Sequence, residues 1–248
     1  MNALHTALAI LRKPLQSARA ALAYQLQPPP MEEFADYDEY WAKRGVPQGV
    51  FRRWQIAAAA MEDGGRVLSI GCGAAGFLAY LRERRPDLVL AGCDISPAAV
   101  ARARQAGFDV FVHDIERDPL PGTYDYIACF EVLEHIPHAE QAFRNFKNAF
   151  RKTLFVSIPN IGCLRCRIRL AVFGKFPLTV CNVHVNEHVR HWTPRDFAYW
   201  MEKESMRIVR LDGQYGLRGF YRWFPALFAH GVVYTLRRAV NPAGNTPA

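Results

Sequence analysis

The chain predicts an α/β fold in which a mainly parallel sheet is covered by helices on both faces. Three observations carry this expectation. From Arg66 onward, short apolar runs alternate with helical stretches. The first of these runs breaks at Gly71-Cys72-Gly73-Ala74-Ala75-Gly76 and passes directly into a helical stretch, and the next run ends on an acid, Asp94. Strand, helix and strand in repetition require crossover connections, which place successive strands parallel and bury both faces of the sheet.

Taken in order, Arg66 to Ile70 predicts a first strand, the glycine-rich turn follows, and a helix runs to Arg85. Leu88 to Cys93 predicts the second strand. Ser96-Pro97 then has the form of an N-cap with proline in the first helical position, starting a helix that reaches Ala106. Strands are expected at Asp109 to Val112 and Tyr124 to Phe130, a helix at Ala139 to Phe150, and a strand at Thr153 to Ile158. A less regular stretch precedes a helix at Pro194 to Glu204 and strands at Arg207 to Leu211 and Gly231 to Leu236. Residues 1 to 30 are rich in Ala, Leu and Arg and end in Pro28-Pro29-Pro30, the pattern of an amphipathic helix followed by a stiff break. The expected organisation is an N-terminal helical extension with a covering segment over residues 1–50, one catalytic domain over 51–240 with an insertion at about 160–192, and a flexible tail at 241–248.

Composition narrows the functional classes. The chain has 248 residues, half of them apolar, and a formal charge of +8. That excludes a disordered or acidic solvating chain, and the length is enough to bury roughly 70 to 75 % of the unfolded surface without staples. Arg and Lys are spread along the chain, with short pairs such as Arg52-Arg53 and Arg237-Arg238, so the basic excess reads as solubilising charge. The apolar stretch Ala3 to Leu11 is closed by Arg12-Lys13-Pro14, too early to span a bilayer, and lacks the flanks of an export signal. Of the six cysteines, Cys72, Cys93 and Cys129 lie in apolar runs and read as small buried hydrophobes. A reducing, cytoplasmic compartment is expected.

The glycine loop carries the strongest chemical signal. Its glycines allow a tight turn and close backbone approach by a ligand, while the helix N-terminus behind it favours negative charge. Asp94, at the end of the second strand, is placed to accept hydrogen bonds from both hydroxyls of a ribose. Asp114-Ile115 follows the third strand on the same sheet edge, where an acid suits an adenine amino group; an ordinary loop aspartate is the alternative. The same features fit a nicotinamide cofactor.

The run Val67-Leu68-Ser69-Ile70-Gly71-Cys72-Gly73, then Cys93-Asp94-Ile95-Ser96-Pro97, then Tyr124-Asp125-Tyr126 and Glu131-Val132-Leu133-Glu134-His135, closely resembles the class I S-adenosylmethionine-dependent methyltransferases. The resemblance implies a Rossmann-like, seven-stranded sheet whose last strand is antiparallel. It implies a site in which Gly71 and Gly73, with Cys72 between them, pass the methionine part of the cofactor. Asp94, with Ile95, would hold the ribose, and Asp114 with Ile115 would contact adenine. The backbone near Phe130 and Glu131 would face the cofactor's ammonium. Tyr37 to Arg44 resembles an aromatic segment that covers the cofactor, which adds Tyr40 and Arg44. Ser69 stands where the family has an acid, and serine supplies no charge opposite that ammonium. Ser157 to Gly162, Arg167 to Leu170 and Gly174 to Thr179 are also similar to the methionine-biosynthesis W-type methyltransferase-like proteins, which would allow a regulatory cofactor-binding partner role.

Transfer of a methyl group to a hydroxyl calls for a base, and the resemblance places acceptor groups beyond the fourth and fifth strands. His135 and His188 are the expected catalytic residues, with His184 and His191 in the same interval, and Arg169 and Arg190 as candidate anion ligands. Cys163-x-x-Cys166 and Cys181-x-x-His184 have a spacing that suits zinc, but Cys163 to Val172 reads as one helix, so structural thiols and no metal are expected. Tyr199-x-x-x-Lys203 has the spacing of a short-chain dehydrogenase pair, yet core packing is expected for Tyr199. Phe220 to Phe224 is expected as a buried cover between the last two strands. The expected partner is a small-molecule methyl acceptor, with no nucleic acid and no integral membrane span; a homodimer is one assembly open to the N-terminal helix.

Overall fold

The computed structural model describes residues 38, 39, 41, 49–62, 64–174, 176, 188–217 and 219–239. The expected N-terminal helix, Tyr40, Arg44, Cys181, His184 and the tail lie outside the described residues. A seven-stranded sheet is ordered β3-β2-β1-β4-β5-β7-β6. Its strands are β1 (Gly65–Ile70), β2 (Leu88–Asp94), β3 (Asp109–Val112), β4 (Tyr124–Phe130), β5 (Phe150–Pro159), β6 (Met206–Gly216) and β7 (Ala229–Arg238). β1 to β5 pair in parallel, and β7 runs antiparallel between β5 and β6. The helices are α1 (Arg52–Ala60), α2 (Gly76–Arg84), α3 (Pro97–Gln105), α4 (Ala139–Phe146), α5 (Leu164–Phe173), α6 (Pro194–Lys203) and the short α7 (Phe220–Trp223) and α8 (Pro225–Phe228).

The strand interiors read as continuous apolar runs because both faces are covered. On one face Leu68, Ile70, Ile127 and Val156 pack with Phe143, Phe146 and Phe197 of α4 and α6. On the other, Val67, Tyr126 and Phe155 pack with Trp54, Phe77 and Leu81 of α1 and α2. Each such buried side chain stabilises the fold by about 1.5–3 kcal/mol. Cys72, Cys93 and Cys129 are buried as expected. Ser96 caps α3 by accepting from Ala99 N–H at 3.1 Å, with Pro97 as the first helical residue.

Several boundaries differ from expectation. The helix expected to reach Phe150 ends at Phe146, because Phe150 pairs with Tyr124 as the first residue of β5 and Tyr124 N–H bonds to Ala149 O at 2.8 Å. β6 continues through the polar run Asp212 to Gly216, tolerated by register shifts against β7. Tyr199 is 63 % exposed rather than in the core, with the Lys203 ammonium 5.2 Å from its ring. The aromatic segment is not a buried cover either: Phe220, Trp223 and Phe224 are 55 %, 81 % and 61 % exposed, because α7 and α8 are single turns set outside β6 and β7.

Candidate active site

Parallel strands open a crevice at their carboxyl ends where the strand order reverses. Here that point lies between β1 and β4, and a cavity of about 290 Å³ occupies it. Its walls come from the turns after four strands: Gly71 after β1, Asp94 and Ile95 at the end of β2, Asp114 and Ile115 after β3, and Glu131 and Val132 after β4, with His135 beside them.

The glycine loop is set by backbone geometry. Gly71 and Gly73 have φ +62° and +53°, in the left-handed region that favours glycine. A Cβ on Gly71 would lie 2.4 Å from Val132 Cγ2, and one on Gly73 would lie 2.3 Å from the Trp41 ring, so neither position has room for a side chain. Two hydrogen bonds tie the loop to β2: Cys72 N–H donates to Cys93 O at 3.0 Å, and Gly73 N–H to Asp94 Oδ2 at 2.8 Å. The other Asp94 oxygen accepts from Ser96 N–H at 3.0 Å. Asp94 is therefore both cavity wall and loop clamp. Burial pushes its carboxyl up from the usual range, against the lowering effect of these backbone donors. Burial and the Asp94 charge push the Cys72 thiol up to about 12, so it stays protonated and inert.

Glu131 also has a left-handed backbone, φ +54°, uncommon for a non-glycine residue and costly by about 1 kcal/mol. Its Oε1 accepts from Ser157 Oγ at 2.7 Å and from Gln214 Nε2 at 2.9 Å. Gln214 Oε1 in turn accepts from Arg53 Nη1 at 3.1 Å.

A short 3₁₀ turn, Leu133–His135, follows β4. The imidazoles of His135 and His188 meet edge to face with centroids 4.7 Å apart. Val189 and Arg190 N–H both donate to Glu134 O, at 2.8 and 3.0 Å, and the Arg190 guanidinium reaches Glu140 at 2.8 Å. These contacts dock the His188 segment on the turn. Burial first, then the His135 and His191 rings, push His188 down to about 3, so it is neutral at physiological pH. Nitrogens of His135 and His188 and a carboxylate oxygen of the buried Glu134 lie within 4.8 Å of one another, a set that could hold a metal ion.

Of the residues expected from sequence, Gly71, Asp94, Ile95, Asp114, Ile115, Glu131 and His135 come together on the cavity wall. Ser69, Cys72, Gly73, Phe130 and His188 are not wall residues. Ser69 is buried within β1, Cys72 packs with Leu78 and Val100, and Phe130 packs edge to face on Phe77. Arg190 is committed to Glu140. Cys163 and Cys166 are buried with Sγ atoms 3.3 Å apart at the start of α5. Sequence reasoning missed Trp41, His113, Glu116, Val132, Ile136 and Pro137 on the wall. Trp41 was signalled by its place among the aromatics from Tyr37 to Arg44.

Comparison with known proteins bears on this geometry. A ubiquinone biosynthesis O-methyltransferase of Xanthomonas campestris pv. campestris (strain B100) is 28 % identical over 201 residues, covering 74 % of this chain and 82 % of that protein. A trans-aconitate 2-methyltransferase of Rhodococcus jostii (strain RHA1) is 32 % identical over 95 residues, covering 38 % and 37 %. Among solved structures, magnesium protoporphyrin IX methyltransferase from Synechocystis PCC 6803 with bound S-adenosylhomocysteine superposes with a TM-score of 0.56 at 16 % identity, covering 93 % of this chain and 99 % of that one. Mitomycin 7-O-methyltransferase superposes with a TM-score of 0.56 at 18 % identity, covering 75 % and 53 %. The model of a family described as a methyltransferase domain matches residues 40–210. With a glycine loop and strand-end acids gathered around one cavity, the chain belongs to the class I S-adenosylmethionine-dependent methyltransferases.

Proposed function

We propose that this enzyme methylates a hydroxyl group of a small molecule, with His135 as the general base and His188 as its orienting neighbour. The observation that carries the proposal is the position of His135: it lies on the cavity wall just past β4, in contact with His188. The residues fit the cofactor. Gly71 lines the cavity, and Asp94 and Asp114 stand at successive strand ends where a nucleoside would lie. S-adenosylmethionine, when bound, supplies an electrophilic methyl group. The protein's part is to hold the acceptor oxygen near it and to take the hydroxyl proton onto the His135 imidazole. His188, held neutral by burial, presents no charge that would disfavour a proton on His135. The relatives named for O-methylation support oxygen as the acceptor atom.

The test is methyl transfer from labelled cofactor to a panel of phenols and alcohols by wild type, His135→Ala and His188→Ala. Loss of turnover in His135→Ala by about 10²–10⁴-fold, with cofactor affinity intact, is expected for a base. Turnover that survives this substitution overturns it.

A metal-assisted variant of the same transfer is favoured by the Glu134, His135 and His188 grouping. Two imidazoles and a carboxylate suit a divalent ion, which would lower the acceptor hydroxyl's pKa enough for solvent, in place of His135, to take its proton. Activity abolished by a chelator and restored by a divalent cation would select this variant; activity indifferent to chelation would eliminate it.

A further inference from the structure

The cavity has a direction. Its wall runs across the strand ends in the order β3, β2, β1, β4, with Asp114 and Asp94 at one end and Gly71 and Glu131 at the other. A nucleoside held by the two aspartates leaves the β1 and β4 end for the amino-acid part of the cofactor, which carries a positively charged α-ammonium. The strand facing that end offers no anion of its own, since Ser69 is neutral and buried.

Four carboxylates line the cavity: Asp94, Asp114, Glu116 and Glu131. Asp94 has one backbone N–H on each oxygen. Asp114 accepts from Glu116 N–H and lies 3.3 Å from the Arg117 guanidinium. Glu116, on the β3 side, is bonded through Oε1 alone, to the His138 backbone N–H and ring. Glu131, after β4, is likewise bonded through Oε1 alone, to Ser157 Oγ and Gln214 Nε2. Glu131 is therefore the one-sided carboxylate at the β1 and β4 end. Among the described residues no hydrogen bond engages Glu131 Oε2, and that atom is not sealed from solvent. The donor set is itself fixed. Gln214 is 5 % exposed, donates also to Val232 O and accepts from Arg53. A carboxylate oriented through one oxygen, on a strained backbone at a cavity wall, is a preformed receptor for a cation.

We propose that the Glu131 carboxylate anchors the α-ammonium of the cofactor in place of the charge absent at Ser69, and that Gln214 and Ser157 are the positioning residues that aim it. Arg53 holds Gln214 in turn, so helix α1 and strand β6, far from Glu131 in sequence, determine affinity for the amino-acid end. This rests on the cofactor assignment above.

The test uses two ligands that share the nucleoside. S-adenosylhomocysteine carries the ammonium; 5′-methylthioadenosine lacks the whole amino-acid end. Both are titrated calorimetrically into wild type, Glu131→Gln, Gln214→Leu and Ser157→Ala, with melting curves to establish folding. Loss of a charge-assisted bond predicts that Glu131→Gln weakens S-adenosylhomocysteine about tenfold to a hundredfold and leaves methylthioadenosine unchanged. Gln214→Leu and Ser157→Ala should show the same selective loss in smaller measure. A purely structural role would weaken both ligands together, and that result, or unchanged S-adenosylhomocysteine binding in Glu131→Gln, overturns the anchor. Should Glu131→Gln fail to fold, the selectivity of Gln214→Leu and Ser157→Ala decides in its place. If wild type binds neither ligand, the cofactor assignment itself falls; if it binds both equally, only the anchor does.

Discussion

Asp94 has two duties that substitution can separate. Its carboxylate is 6 % exposed and accepts from Gly73 and Ser96 N–H at 2.8 and 3.0 Å, so it holds the glycine loop whether or not a ligand is present. Asp94→Ala strands two buried donors, each worth about 1–3 kcal/mol when left without a partner. Allowing for relaxation of the loop, a loss of about 2–4 kcal/mol is expected. At roughly 2–4 °C per kcal/mol for a domain of this size, the melting temperature should fall by about 4–16 °C. Asp94→Asn retains one acceptor oxygen and should lose less. Its pH dependence should also change. Burial raises the folded-state carboxyl above its unfolded value, so Asp94 costs stability as pH rises through that interval, and asparagine has no such cost.

Binding provides the second half of the test. Asp94→Asn is expected to weaken S-adenosylhomocysteine and methylthioadenosine alike, by about tenfold to a hundredfold, because both carry the ribose. That pattern is the opposite of the one expected for Glu131→Gln. Melting curves and calorimetric titrations on the same preparations separate the two duties. An unchanged melting temperature in Asp94→Ala refutes the clamp, and undiminished affinity in Asp94→Asn refutes ribose recognition at the end of β2.

Three further expectations follow from the packing. Gly71→Ala puts a Cβ 2.4 Å from Val132 Cγ2 at φ +62°, and should destabilise by about 2–4 kcal/mol in urea unfolding. Adding Val132→Ala should recover the steric part, and failure to recover any would show that the crowding is not the cause. Tyr234→Phe should raise the urea midpoint, because the buried Tyr234 hydroxyl has no hydrogen-bond partner among the described residues and phenylalanine keeps the ring stacked 4.3 Å from Phe197; a lowered midpoint would reveal a bond. Burial, with Arg165 nearby, pushes the His230 pKa below its usual value. The unfolded chain therefore binds the extra proton first, and the stability is full above the ordinary histidine pKa and lost as pH falls through the interval below it. His230→Gln should flatten that decline in melting temperatures taken from neutral to mildly acidic pH.

The parts of the molecule legible in the sequence are those decided locally. The first five strands are apolar runs, β1, β2 and β4 ended by glycine or acid, and the glycine loop announces itself because Val132 and Trp41 leave no room for a side chain at Gly71 and Gly73. What was hidden depends on long-range placement. Asp212 to Gly216 is polar and reads as a loop, yet antiparallel pairing with β7 draws it into β6 and delivers Gln214 to Glu131. The end of α4 was missed because Ala149 and Phe150 extend a helical pattern while the ladder with β4 claims them. Aromatic character predicts burial for Tyr199 and Trp223, yet both are exposed, because helices on the surface can present a ring to solvent with no change in the sequence pattern.

The same division explains why the cofactor face is easier to assign than the acceptor face. Asp94, Asp114 and Glu131 stand within the strand ends or one residue pair beyond them, so the hydrogen-bonded ladder fixes their spacing. His188 belongs to no strand among the described residues. It reaches His135 because the backbone of Val189 and Arg190 is bonded to Glu134 O, a contact that any residue could make and that leaves no mark in the sequence. On the function proposed above, the turn from Leu133 to His135 joins the two halves: its backbone receives the His188 segment while His135 lines the strand-end cavity. A change in how that segment docks would reach the reacting atoms through this turn, whereas the strand-end acids would hold the nucleoside as before.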